Sequence, residues 1–194
     1  MTPIADLLSA LCDADPDRRS SAAVEIFQQG TDRARKAVAP WFWDAKLQQA
    51  FSLGSDGFPE MTVGVAVWPE RFEEIRKVTG MPTLASVPPE HEAREFAIAL
   101  SGGVRLDILT PLGSKSAGAI GRYLDRFGEG IQQVELLCRG VDRAVKLLCD
   151  RFSLASLYPE TRAGADETRV NFFLVPIAEG GNLLIELVEP KSPH

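Results

Sequence analysis

Val104-Arg-Leu-Asp-Ile-Leu-Thr-Pro111 and Leu183-Leu-Ile-Glu-Leu-Val-Glu-Pro190 are one phrase written twice. Each is an apolar, strand-like run with a carboxylate in its middle, Asp107 in the first and Glu186 in the second, and each stops at a proline. Alternation places Asp107 on one strand face with Arg105 and Leu109, and Glu186 on one face with Leu184 and Val188. A phrase repeated at this distance marks two copies of one module, so the residues before each copy should also correspond.

They do. Ahead of the second phrase, Ile131 to Cys138 reads as a strand and Val141 to Phe152 as a helix with Val141, Ala144, Val145 and Leu148 on one face. Further strands are expected at Leu154 to Tyr158, Arg169 to Val175 and Asn182 to Val188. Ahead of the first phrase, Met61 to Trp68 is a strand, and Pro69 opens a helix carrying Phe72, Ile75 and Val78 that Gly80 closes. Strands follow at Thr83 to Val87, Glu95 to Leu100 and Val104 to Leu109, with Gly102-Gly103 turning between the last two. Both halves read β-α-β-β-β, and a helix closed by Gly128 joins them. The fold class is therefore α+β, with tandem βαβββ modules at 61–112 and 130–190 and a linker helix at 114–127.

Residues 1–58 follow a different grammar, read as a helical N-terminal extension ahead of a 59–190 domain. Ile4, Leu7, Leu8 and Leu11 recur at helical spacing, as do Ala22, Ala23, Ile26 and Phe27, with Gly30 expected to end that helix. Thr31-Asp32 reads as the cap of a third segment, Pro40 as the start of a fourth, and Gly54-Ser-Asp-Gly57 as a linker. Trp41-Phe-Trp43 reads either as packing of this cap or as a docking face.

The 194 residues carry a formal net charge of -6. No basic stripe exists to neutralise phosphates, so nucleic acid is not an expected partner. No apolar run is long enough for a membrane span, and Asp6 and Asp13 fall too early for a signal peptide, which gives a cytoplasmic expectation. Cys12, Cys138 and Cys149 are scattered and show no zinc spacing.

Matching the modules pairs Thr62 with Gln133 at the openings of their first strands, and Asp107 with Glu186 in their last. A carboxylate on a half-buried strand face is costly unless it is paired, metal-bound or lining a wet cavity. Strand alternation also allows the plainer arrangement, with both carboxylates in solvent or Asp107 paired to Arg105.

Leu106-Asp-Ile-Leu-Thr-Pro-Leu-Gly113, Tyr123-Leu124, Gly128-Glu-Gly-Ile-Gln-Gln133, Arg169-Val-Asn-Phe-Phe173 and Gly181-Asn-Leu-Leu-Ile-Glu-Leu-Val188 together resemble methylmalonyl-CoA epimerase of the vicinal oxygen chelate (glyoxalase) superfamily. The resemblance spans residues 61 to 190. It implies a divalent-metal site at Thr62, Asp107, Gln133 and Glu186, where the family places two histidines, a Gln or Glu, and a Glu. Both histidines are replaced: the family's Gly-Ile-His-His reads Gly130-Ile-Gln-Gln133, and His91 and His194 lie at neither position. An oxygen-only set holds zinc or iron poorly, so the expected cofactor is none, or a weakly bound magnesium, manganese or calcium. The resemblance also implies proton exchange between two carboxylates, Glu186 with Glu95, whose neighbours Glu90 and Glu92 compete for that assignment; Asp107 is a further catalytic candidate.

Two readings stay open. One is an enzyme moving a proton on a small carbonyl or acyl-thioester substrate, as an epimerase, isomerase, cyclase or lyase. The other is a metal-free small-molecule binding or assembly protein on the same fold. The resemblance further implies a homodimer. A dioxygenase-type metal role is disfavoured for want of histidines.

Overall fold

The computed structural model describes residues 1–113, 118–178 and 180–191. Helices α1 (Ile4–Leu11), α2 (Pro16–Val38) and α3 (Ala45–Gln48) precede strand β1 (Met61–Ala66) and helix α4 (Pro69–Val78). Strands β2 (Ala93–Ala99) and β3 (Arg105–Pro111) follow, then helix α5 (Gly118–Phe127), strand β4 (Gly130–Leu137) and helix α6 (Val141–Phe152). Strands β5 (Arg162–Ala163), β6 (Arg169–Pro176) and β7 (Asn182–Glu189) complete the order. The linker helix expected at 114–127 is α5 over its described part; residues 114–117 lie outside the described residues. No helix among the described residues is long and apolar enough to cross a membrane.

The chain divides into two compact units, Met1–Gly30 with Thr62–Gln132, and Thr31–Met61 with Gln133 onward. In the first, the strands run β2-β3-β1, with β1 parallel and β2 antiparallel to β3. In the second they run β4-β7-β6-β5, with β4 parallel and β6 antiparallel to β7. Each module thus joins its first strand to its last in parallel, as expected of a true repeat.

One face of each sheet is packed by its module's helix side. In the first unit Val63, Val65, Leu106, Ile108 and Phe96 are buried, and Phe96 meets Phe72 of α4 edge to face at 4.8 Å. In the second, Val134, Leu136, Phe173, Ile185 and Leu187 are buried, as are Val141, Ala144 and Leu148 of α6. Burying side chains of this size stabilises by about 1.5–3 kcal/mol each.

A distant glutamate anchors the start of each module's helix. Glu129 Oε1 accepts from the Trp68 amide at 3.0 Å, at the mouth of α4, while its Oε2 binds Arg71 Nε at 2.7 Å. Glu189 Oε2 accepts from the Val141 amide of α6 at 2.9 Å and from Arg169 Nη1 at 3.0 Å. An anion at a helix N-terminus satisfies an orphan N–H and opposes the helix dipole.

Three expectations are corrected. Gly30 does not end a helix: α2 runs through it to Val38. A Cβ at Gly30 would stand 2.7 Å from both γ-carbons of Val63, so the glycine serves close approach of helix to strand, not termination. Thr83 to Val87 forms no strand. Ala85 N–H bonds Glu95 O at 3.0 Å, but Val87 N–H turns back on Ala85 O at 3.1 Å, and Pro82 and Pro88 bracket the run. Leu154 to Tyr158 shrinks to a single bridge, Ser156 with Phe173, and the short edge strand β5 pairs with β6 instead.

The Gly54-to-Gly57 segment is a tight turn: Leu53 bridges Pro59 and Gly54 N–H bonds Phe58 O at 2.7 Å. Pro40 lies in a 3-10 turn (Ala39–Trp43), and Asp44 then caps α3 through Lys46 N and Leu47 N. Trp41 and Phe42 are buried, Phe42 meeting Phe51 at 5.2 Å and Phe58 at 5.5 Å, which is packing; Trp43 is 84% exposed.

Candidate active site

In the first unit, β3 turns Leu106 and Ile108 into the core and Arg105, Asp107 and Leu109 to the opposite face. The register sets Asp107 beside Gly64 of β1 and Ala97 of β2, and Leu109 beside Ala66 and Glu95. Thr62, two residues before Gly64, falls on the same face. Thr62, Glu95 and Asp107 are all half-buried on it. Three residues singled out in the sequence therefore share one sheet face. At one end, Ile120 and Leu124 of α5 cover Ala66 and Leu109. The in-register neighbours of Asp107 on β1 and β2 are the small residues Gly64 and Ala97.

In the second unit, Gln133 stands in register with Leu184, and Glu186 with both Glu135 of β4 and Phe172 of β6. Glu186 is 8% exposed, as is Gln133. The amide Nε2 of Gln133 donates to Glu186 Oε2 in a short hydrogen bond and to Glu135 Oε1 at 3.3 Å. One amide thus ties two carboxyl groups on neighbouring strands, and Phe172 closes the far side of Glu186. Gln132 points to the other face, where its Oε1 is buried without a hydrogen-bond partner. Gln133, not Gln132, is therefore the glutamine that meets Glu186.

Sequence reasoning missed Glu135. Its signal was present, since two residues beyond Gln133 is the same strand face, but the matched positions of the repeat drew attention away from it. His91 lies in a 3-10 turn (Pro89–His91) away from the strand positions, and His194 lies outside the described residues.

A divalent metal, as the resemblance implies, needs lone pairs converging on one point. Gln133 instead presents its amide nitrogen, a donor, to Glu186. No group of three or more His, Cys, Asp or Glu side chains capable of holding a metal ion occurs among the described residues. As arranged, these residues do not fit such an ion, and no chemical step below is routed through one.

No protein-family model matches the chain, and no curated protein does. Solved structures do. Methylmalonyl-CoA epimerase from Mycobacterium tuberculosis is 26% identical with a TM-score of 0.56, the match covering 73% of this chain and 94% of that one. A Streptomyces coelicolor methylmalonyl-CoA epimerase variant in complex with 2-nitronate-propionyl-CoA is 22% identical, TM-score 0.53, covering 70% and 99%. A methylmalonyl-CoA epimerase in complex with methylmalonyl-CoA and an ammonium ion is 23% identical, TM-score 0.52, covering 70% and 99%. The protein has the vicinal oxygen chelate fold. Its structural neighbours are methylmalonyl-CoA epimerases.

Proposed function

We propose that this protein is an enzyme that moves a proton at the carbon next to the carbonyl of a small carbonyl compound or acyl thioester, with Glu186 as the base. The observation that carries this reading is the placement of Glu186: a carboxyl group withdrawn from water on the face away from the packed helix, oriented by Gln133. A positioned carboxylate in a poorly hydrated site is suited to taking a proton from carbon. Proton removal moves negative charge to the carbonyl oxygen; Gln133 already donates to both Glu186 and Glu135, so it can serve that oxygen only by releasing its longer bond to Glu135. Glu95 and Asp107, on the matched face of the first module, are candidates for returning the proton. The 26% identical epimerase structure supports the same chemistry.

The test is solvent deuterium incorporation at the α-carbon of branched acyl-thioesters by the full chain, set against Glu186→Gln. Incorporation above the protein-free rate, lost by about 10²–10⁴-fold in the variant while its melting curve is unchanged, is the expected result. Equal incorporation by the variant would sink the assignment. A second reading, a metal-free binding or assembly protein, is favoured by the loss of both family histidines. It predicts ligand binding with no incorporation at all. Metal content of protein purified without chelator, followed by manganese and cobalt back-titration, is the companion measurement.

A further inference from the structure

We infer that Arg162, stacked on Tyr158 at the edge of the second unit's sheet, receives an anionic group, a carboxylate or a phosphate, on the substrate whose reacting carbon lies at Glu186. This rests on the proton-transfer reading and narrows its substrate class to compounds with a negative charge a few bonds away from that carbon.

Register puts Arg162 on the face of the base. Arg162 of β5 pairs with Val170 of β6, and Val170 with Val188 of β7, so Arg162 projects from the same sheet face as Glu186, two residues from Val188. Its guanidinium lies over the Tyr158 ring at 4.1 Å, and Tyr158 meets Phe172 edge to face at 5.8 Å. Phe172 in turn stands in register with Glu186. The arginine therefore leans from the level of Val170 toward that of Phe172, and a row of side chains connects it with Glu186.

Stacking prepares this group for an anion. Contact with a ring occupies the flat face of a guanidinium and leaves the N–H donors, all in its plane, for a carboxylate or phosphate to take in pairs. The acids near β5 are engaged elsewhere: Asp142 takes the Thr161 hydroxyl and Arg169, and Glu167 takes Lys191. Arg169, one strand over, is held by two carboxylates, Asp142 and Glu189. Among the described residues no ion pair holds Arg162; an aromatic ring does.

Distance then selects where the charge sits on the substrate. Two strand spacings and two residues along β7 put the backbones of Arg162 and Glu186 about 12 Å apart. A carboxylate on the reacting carbon itself stays beside Glu186. One placed a few bonds farther along the molecule, past the Phe172 and Tyr158 rings, meets the guanidinium. The rings cover the apolar stretch between the two ends, and the pair of contacts fixes which way round the substrate lies.

The experiment measures calorimetric affinity of the full chain for three probes. 2-Methylbutyryl-CoA carries phosphates, the 2-methylglutaryl 1-thioester of N-acetylcysteamine carries a carboxylate, and the 2-methylbutyryl thioester of N-acetylcysteamine carries no charge. At least one anionic probe should bind about tenfold or more tightly than the neutral one, and which of them does so tells the source of the charge. Arg162→Met keeps the apolar stem and should abolish that advantage; Arg162→Lys, which keeps the charge but not the planar fork, should retain part of it. Anionic probes bound no more tightly than the neutral one, an advantage that survives Arg162→Met, or no binding of any probe overturns the inference. Deuterium incorporation at the α-carbon, followed in parallel, judges the proton-transfer reading separately. Binding that depends on Arg162 without incorporation overturns that reading and leaves the anion site in place.

Discussion

Asp107 and Glu186 hold matched places in the two modules, yet their strand neighbours treat them differently. Asp107 lies half-buried between Gly64 and Ala97, small residues on both neighbouring strands. Glu186 lies between Glu135 and Phe172, buried, and held by an amide. The repeat has conserved the position of a carboxyl group within this chain and diversified its surroundings. On the proposed reading, the carboxyl group over the small-residue floor makes room, and the crowded, oriented one takes the proton. The division of labour this proposes between two copies of one module is open to direct attack.

The largest effect is expected from exchanging the two carboxylates for amides in parallel. Glu186→Gln should lower deuterium incorporation by about 10²–10⁴-fold, whereas Asp107→Asn should lower it by less than about tenfold, because a group that remains partly hydrated is easily replaced by water or its isostere. Equal losses in both variants would mean that the modules share the proton work, and the contrast drawn above would fail.

A second contrast concerns thiols. Burial, then the neighbouring Glu74, pushes the Cys12 thiol up to about 11, and burial pushes Cys138 up further still. The thiolate is the reactive form, so at pH 8 Cys12 should be alkylated on the order of a hundredfold more slowly than an ordinary exposed cysteine, with the rate rising about tenfold per pH unit until pH approaches 11. Cys138, 2% exposed, should stay unmodified in the folded protein at any of these pH values. Peptide mapping after timed iodoacetamide treatment reads both, and rapid labelling of Cys12 at pH 8 would show that α1 opens readily from its unit.

The repeated phrase around Asp107 and Glu186 made the fold legible, because a hydrophobic pattern of period two and its terminal proline survive without knowledge of contacts. Helix α6 is found over the very residues its apolar spacing indicated, Val141–Phe152. What failed were elements set by tertiary approach. Gly30 reads as a helix end by local chemistry, but the proximity of Val63 explains it, and that proximity lies 33 positions away along the chain. Thr83 to Val87 has strand composition, yet flanking prolines and a local turn take the amides a ladder would use. In the site, Thr62, Asp107, Gln133 and Glu186 were found by matching copies, and Glu95 only through the family resemblance. Glu135 has no counterpart in the first module, where the equivalent residue is Gly64, and a search for matched pairs is blind to a group present in one copy only.

The helix anchors offer a smaller test of the same asymmetry. Glu129 and Arg71, at the mouth of α4, expose 16% and 29% of their side chains, against 21% and 50% for Glu189 and Arg169 at α6. Better shielding from water should make the first anchor the stronger. Glu129→Gln is expected to cost about 1–3 kcal/mol and Glu189→Gln about 0.5–1 kcal/mol in urea-unfolding stability, since each loses a charged hydrogen bond but keeps the shape. Raising salt should weaken the Glu189 contribution first. The reverse ranking would show that the anchors do not follow exposure.

Acid titration should give the smallest effect, and it again falls on the second unit. The Thr161 hydroxyl, and after it the Arg169 guanidinium, hold the Asp142 carboxyl below its ordinary range. A carboxyl group with a depressed folded value contributes stability that is fully present above its unfolded value of about 4 and is lost as pH falls through the lower, folded one. Asp142 and Arg169 expose 65% and 50% of their side chains, so solvent screening limits the contribution to a few tenths of a kcal/mol. Asp142→Asn should therefore flatten the acid limb of the stability curve slightly below pH 4 and leave stability at pH 7 lower by that small amount. An acid limb unchanged by the substitution would move the source of acid sensitivity elsewhere, with the buried carboxyl group of Glu186 as the next to replace.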